Sequence, residues 1–190
     1  MKKTVGLIIL ALIFLFGLYY LLIPGPTYIG DFPPLPNSVT SQLSGDTWQH
    51  PNIVAYFSNW WRPDVTPYYY KSFSYLKIFG VTIPPLKINH PPEEAFQYIR
   101  DQQESTYLEE YFYPFRDQLF VNGWEPFDKN GKRFRGDWNR VVYNDIFYNS
   151  KVTLRYYPSK RIYRVIVYVG IWASAFALWW VAKKIKMEEV

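Results

Sequence analysis

Cysteine is missing from all 190 residues. That excludes disulfides, thiolate nucleophiles, thiolate zinc sites and a lipid anchor on Cys, while leaving the compartment open, because an exported domain can fold without bridges. Histidine occurs only as His50 and His90, far apart and each followed by proline. A metal pair would need both to converge with carboxylates, and His90 reads more simply as a residue leading into a helix. The chain has no HExxH, GxSxG, Walker loop or GxGxxG, so no catalytic residue and no cofactor is expected. It also has no internal repeat and no nucleic-acid recognition motif.

Charge is missing from two long runs. Val5–Ile23 has 19 residues and Val165–Ala182 has 18 without an Asp, Glu, Lys or Arg. At about 1.5 Å per helical residue each spans roughly 27–29 Å, close to the ~30 Å hydrocarbon core of a bilayer. A secretory signal peptide competes for the first run, and Lys2 and Lys3 suit it. The run nevertheless exceeds the usual ~7–15 apolar residues and no small-x-small cleavage site follows, so an uncleaved anchor is expected. For the second run the competing reading makes Arg161–Val169, rich in β-branched residues, a terminal strand. Trp179 and Trp180 beside Lys183 and Lys184 instead suit an interfacial belt with cationic anchors. Gly170/Ser174 and Ala173/Ala177 form a stripe of small residues expected to pack on Gly17.

The net charge of +5 is unevenly laid out. Pro24–Asp128 holds 6 basic and 12 acidic residues, whereas Lys129–Arg164 holds 10 basic residues and only Asp137 and Asp145 as acids. Lys2 and Lys3 precede the first span and no Lys or Arg lies in Pro24–Thr40. The positive-inside tendency therefore keeps the N-terminus in the cytoplasm and sends the domain out. Lys151, Arg155, Lys160, Arg161 and Arg164 before the second span, against Lys183, Lys184 and Lys186 after it, leave that span ambiguous. Because the first helix usually sets topology, both termini are expected inside. The expected plan is a cytoplasmic start (1–4), a first span (5–23), a proline-rich linker (24–45), an extracytoplasmic domain (46–163), a second span (164–182) and a cytoplasmic end (183–190). A basic start, an apolar anchor, a proline-rich exit and a second apolar segment resemble the plan of many small bacterial membrane proteins. That resemblance implies the lipid bilayer as a partner and carries no activity.

Prolines 24, 26, 33, 34 and 36 favour stiff, extended backbone, so Pro24–Ser44 reads as a spacer lifting the domain off the bilayer. Asn52–Ser58 has strand composition. Pro63 and Asp64 suit a helix start, with Val65, Tyr69 and Phe73 recurring on one face. A strand is expected near Leu86–Asn89, a helix over Pro92–Gln103, and strands over Tyr107–Phe115, Gln118–Val121 and Lys151–Tyr157. Asn122-Gly123 and Asn130-Gly131 read as tight hairpin turns. Short strands with embedded helices at this length point to an α+β domain, with helices on a mostly antiparallel sheet, between two transmembrane helices.

Carboxylates come in pairs, but Glu93 and Glu94 suit a helix N-terminus, and Glu109 and Glu110 point to opposite strand faces, so neither pair forms a dyad. Arg100, Asp101, Glu110 and Arg116 are the candidate polar set: either an Arg–Glu bridge tying helix to sheet or a grip on an anionic ligand. Trp60 and Trp61 offer stacking faces for a glycan. The expected role is protein–protein interaction or envelope assembly without catalysis. A binding module for a glycan or anionic ligand is the alternative, and a membrane-tethered hydrolase ranks third.

Overall fold

The computed structural model of the chain describes residues 2–47, 52–90, 107–125 and 141–188. It divides into two compact units, Met1–Pro24 with Ser159–Val190, and Gly25–Pro158. In chain order the elements are α1 (Lys2–Leu22), β1 (Val39–Thr40), the single turn α2 (Ser44–Thr47), β2 (Ile53–Ser58), α3 (Arg62–Phe73), β3 (Lys77–Ile78), β4 (Val81–Thr82), β5 (Leu86–His90), β6 (Tyr107–Phe112), β7 (Gln118–Trp124), β8 (Val141–Tyr143), β9 (Ile146–Tyr148), β10 (Ser150–Tyr157) and α4 (Arg161–Glu188). The class is α+β, flanked by two helices long and apolar enough to cross a membrane.

In the Gly25–Pro158 unit six strands pair in the order β1-β2-β10-β7-β6-β5, antiparallel at every described pairing. Alternation decides which side chains meet α3. Tyr107, Glu109 and Tyr111 share one face of β6, in register with Gly123, Val121 and Leu119 of β7. The helix presents Val65, Tyr69 and Phe73, all fully buried, and Phe73 stacks on Tyr113 with ring centroids 5.4 Å apart. Proline at the helix start and Asp64 in its first turn explain where it begins.

Three expectations are corrected. Asn122-Gly123 is no turn: both residues lie inside β7, paired with Leu108 and Tyr107. Glycine is needed there for close approach, since a Cβ on Gly123 would stand 2.1 Å from the Tyr107 ring. The chain reverses instead at Tyr113–Asp117, where Arg116 N–H bonds Tyr113 O at 2.9 Å and Phe115 takes φ +59°. Second, Gly25–Ser44 is no spacer. Ile29, Phe32 and Leu35 are buried in the domain, with Phe32 against Phe73 and Tyr156, and β1 extends the sheet. Apolar residues between the prolines supply the burial that makes the segment part of the core. The expected helix over 92–103, the turn at 130–131 and His50 lie outside the described residues.

The third correction concerns the helical unit. Gly17 of α1 meets Tyr168 of α4 rather than the small-residue stripe: a Cβ on Gly17 would lie 2.1 Å from the Tyr168 hydroxyl, whereas a Cβ on Gly170 would meet open space. Phe14 stacks on Tyr168 and meets Trp172 edge-on, both at 5.6 Å. A large ring filling a glycine notch buries more surface than two small faces would. Arg161–Val169 is helical, and Lys184 lies 4.2 Å from the Trp180 ring.

Candidate functional site

Among the described residues a polar cluster lies where the start of α3 meets β5 and β6. Register puts Lys87 and Asn89 of β5 opposite Tyr111 and Glu109 of β6, all on the face that receives α3. Glu109, only 2 % exposed, accepts from Lys87 Nζ at 2.7 Å, from the Tyr111 hydroxyl at 2.6 Å and from the Arg62 guanidinium at 3.2 Å. Arg62 also donates to Asn89 Oδ1 at 2.9 Å and lies 5.2 Å above the Tyr107 ring. Its backbone N–H, the first of the helix, donates to Glu125 Oε2 at 3.0 Å, a carboxylate at the positive end of the helix dipole.

The two carboxyls are driven in opposite directions. Burial would raise Glu109, but Lys87, Tyr111 and Arg62 outweigh it and hold the carboxyl below its ordinary value. Burial raises Glu125, and the Arg62 N–H and charge only partly offset it. Burial, with the Glu109 charge and hydrogen bond added, pushes the Tyr111 phenol well up. Among the described residues, two carboxylates face two cations. The cluster is an Arg–Glu bridge between helix and sheet of the kind the sequence suggested, built from other residues.

The candidate set is distributed differently. Glu110 is buried on the second face of β6 and pairs with His90 Nε2 at 2.9 Å. Arg116, 6 % exposed, belongs to the β6–β7 turn with its guanidinium 5.7 Å from the Tyr75 ring; the Tyr75 hydroxyl donates to the Asp117 carboxylate. Arg100 and Asp101 lie outside the described residues. Trp60 and Trp61 are half-buried before α3, Trp60 meeting Tyr68 edge-on at 5.6 Å. Arg62, Lys87, Glu109 and Glu125 were not singled out from sequence. The available signal was a carboxylate on the aromatic face of a strand reading YLEEYF, which must find cations if buried. Among the described residues no three of His, Cys, Asp and Glu form a metal-binding group.

A second surface is apolar. The β8–β9 hairpin turns through Asn144 and Asp145, at φ +51° and +61°, and leaves Val142, Ile146 and Phe147 54–59 % exposed. Tyr143 and Tyr148 anchor it on Phe57 of β2, at 4.3 and 5.7 Å. No family model, no curated protein and no solved structure matches the chain.

Proposed function

We propose that the chain is a two-pass membrane protein whose α+β domain, held outside the cytoplasm of a bacterial cell, docks a protein partner of the cell envelope without catalysis. The observation carrying this reading is the β8–β9 hairpin: Val142 and Phe147 pair across it on one face, both exposed, while Tyr143 and Tyr148 of its other face pack on Phe57. Exposed apolar groups clustered in this way mark interaction surfaces. The outward topology is supported by Lys2 and Lys3 before the first apolar helix and by the lack of basic residues just after it.

Two measurements test it. In this cysteine-free chain, single cysteines at Ser44, Thr4 and Glu189 are challenged in intact cells with a membrane-impermeant thiol reagent. Labelling at 44 alone is expected; labelling only at the termini overturns the outward topology. A photo-crosslinker at Phe147 should then give a discrete protein adduct that V142D, on the same face, abolishes and that the same group at exposed Lys71 does not give. Adducts equal from both positions overturn docking at the hairpin. A glycan or anionic ligand held at Trp60 and Trp61 is the alternative outcome, read as ligand binding lost in W60A and kept in V142D.

A further inference from the structure

We infer that the end of the helical unit where α1 begins and α4 finishes binds anionic phospholipid headgroups, with Lys183 and Lys184 meeting the phosphate. This rests on the two-pass reading above and adds to it a preference among lipids.

The packing of the two helices brings their basic ends together. Phe14 stacks on Tyr168 and meets Trp172 edge-on, while Gly17 lies against Tyr168. Earlier residues of α1 thus meet later residues of α4, and the pair is antiparallel. Lys3 stands 11 residues before Phe14, and Lys183 stands 11 residues after Trp172. Both helices are continuous over that stretch, so at about 1.5 Å per residue both positions lie roughly 16–17 Å along the pair from the aromatic contact. Lys2, Lys3, Lys183, Lys184 and Lys186 therefore gather at one end, against Glu188 and Glu189. Helix formation does not ask for the first two, because cations are disfavoured at the positive end of a helix dipole.

At this end the α4 ammonium groups are positioned but not neutralised. Lys184 Nζ lies 4.2 Å from the centre of the Trp180 ring, and Lys183 Nζ lies 5.7 Å from that of Trp179. Four-residue spacing sets each lysine one turn beyond its ring on the same face. Both rings are exposed and suit the polar–apolar boundary of a bilayer. An ammonium resting on a ring keeps N–H donors for an acceptor. Lys183, Lys184 and Lys186 are exposed, and among the described residues no carboxylate pairs with them. The acceptor available at the depth of the rings is a headgroup phosphate. A zwitterionic lipid cancels that phosphate with its own cation, whereas an anionic lipid leaves it to the lysines. The opposite end is built differently. α1 has no basic residue in its last turn, and at the start of α4 the Arg164 guanidinium is buried and donates to Ser159 O at 2.6 Å.

The test uses the full-length protein in phosphatidylcholine vesicles holding a small fraction of nitroxide-labelled phosphatidylglycerol or nitroxide-labelled phosphatidylcholine. A bimane fluorophore sits on a single cysteine replacing Ile185 at the basic end, Tyr163 at the opposite end, or Leu15 between them, all exposed positions. Quenching gives the ratio of the two lipids' association constants at each site. At 185 the ratio is expected to be about five in favour of phosphatidylglycerol, the scale of one lysine at an anionic surface. It should exceed the ratio at 163, fall near one in K183Q/K184Q and stay unchanged in K160Q/R161Q. Equal quenching by both lipids at 185, with 15 still quenched, overturns the inference and leaves the spans standing. A ratio that survives K183Q/K184Q overturns it equally. Suppression by inorganic phosphate, but not by sodium chloride of equal ionic strength, assigns the lysines to a soluble anion and also overturns it. No quenching at 15 by either lipid removes the spans, and the inference with them.

Discussion

Glu109 and Glu125 sit on either side of Arg62, and their opposite shifts give opposite pH responses. Glu109 has a folded pKa below its unfolded value of about 4.5. Its contribution is therefore present above that value and lost as pH falls through the folded one. Glu125 has a folded pKa above its unfolded value, so ionising it in place weakens the fold as pH rises through that pKa. At neutral pH, E109Q should destabilise the protein by about 2 kcal/mol, the scale of hydrogen bonds to a charged group, and its deficit should shrink in acid. E125Q should be more stable than wild type at neutral pH, with the gain vanishing in acid, because a glutamine oxygen can still accept from the Arg62 N–H. Thermal melts of both variants against pH check the two signs; parallel curves would show that neither carboxyl titrates as described. The opposed faces of Glu109 and Glu110 were legible in the sequence because strand alternation is local. Their partners were not, because Arg62 and Lys87 reach Glu109 across 47 and 22 positions. Gly123 was misread for a related reason. Asn-Gly carries a strong local turn signal, and the need to admit the Tyr107 ring overrode it. G123A should cost about 1–3 kcal/mol, the scale of an overpacked core, in a denaturant titration.

The elements whose periodicity was complete in a short window were legible: α3 from Val65, Tyr69 and Phe73, and β2, β5, β10 and the first half of β7 from their composition. Turns were less so, because two of the turns among the described residues hold phenylalanine at positive φ, where turn chemistry asks for a small polar residue or glycine. Left-handed backbone costs an ordinary side chain roughly 1–2 kcal/mol. F79N should therefore raise the stability of detergent-solubilised protein by about 1 kcal/mol, and F115G should act in the same direction. A loss in both would mean that the phenylalanines stabilise the folded domain itself. The Gly25–Ser44 segment teaches the converse. Proline density marks it as extended, yet it folds through a 3-10 turn at Ile29–Asp31 and a turn at Asn37, and Phe32 and Leu35 decide that it lies against the core rather than in water. F32A should destabilise by about 3–5 kcal/mol, as large-to-small changes in a packed core do, a loss no spacer residue would show.

For the molecule as a whole, the two apolar helices were the plainest feature of the sequence, while their mutual contact was not. Small residues at four-residue spacing on α4 suggested a stripe-on-glycine packing. The glycine notch is real, but its occupant is Tyr168, whose hydroxyl also reaches the Ile13 and Phe14 carbonyls at 3.4 and 3.2 Å. In hydrocarbon the apolar surfaces of two helices gain nothing from leaving water, so association rests on shape and on hydrogen bonds such as these. Filling the notch removes both at once. G17L should separate the pair, and the missing cysteines make the outcome easy to read. With cysteines at Phe14 and Trp172, whose rings meet in the wild-type chain, oxidation in membranes should give an intramolecular disulfide that G17L suppresses. A Y168F change should weaken the cross-link less, because the ring still fills the notch and only the hydroxyl contacts go. Equal cross-linking in G17L would show that the two helices are held together by the folded domain between them, and not by the seat of Tyr168 on Gly17.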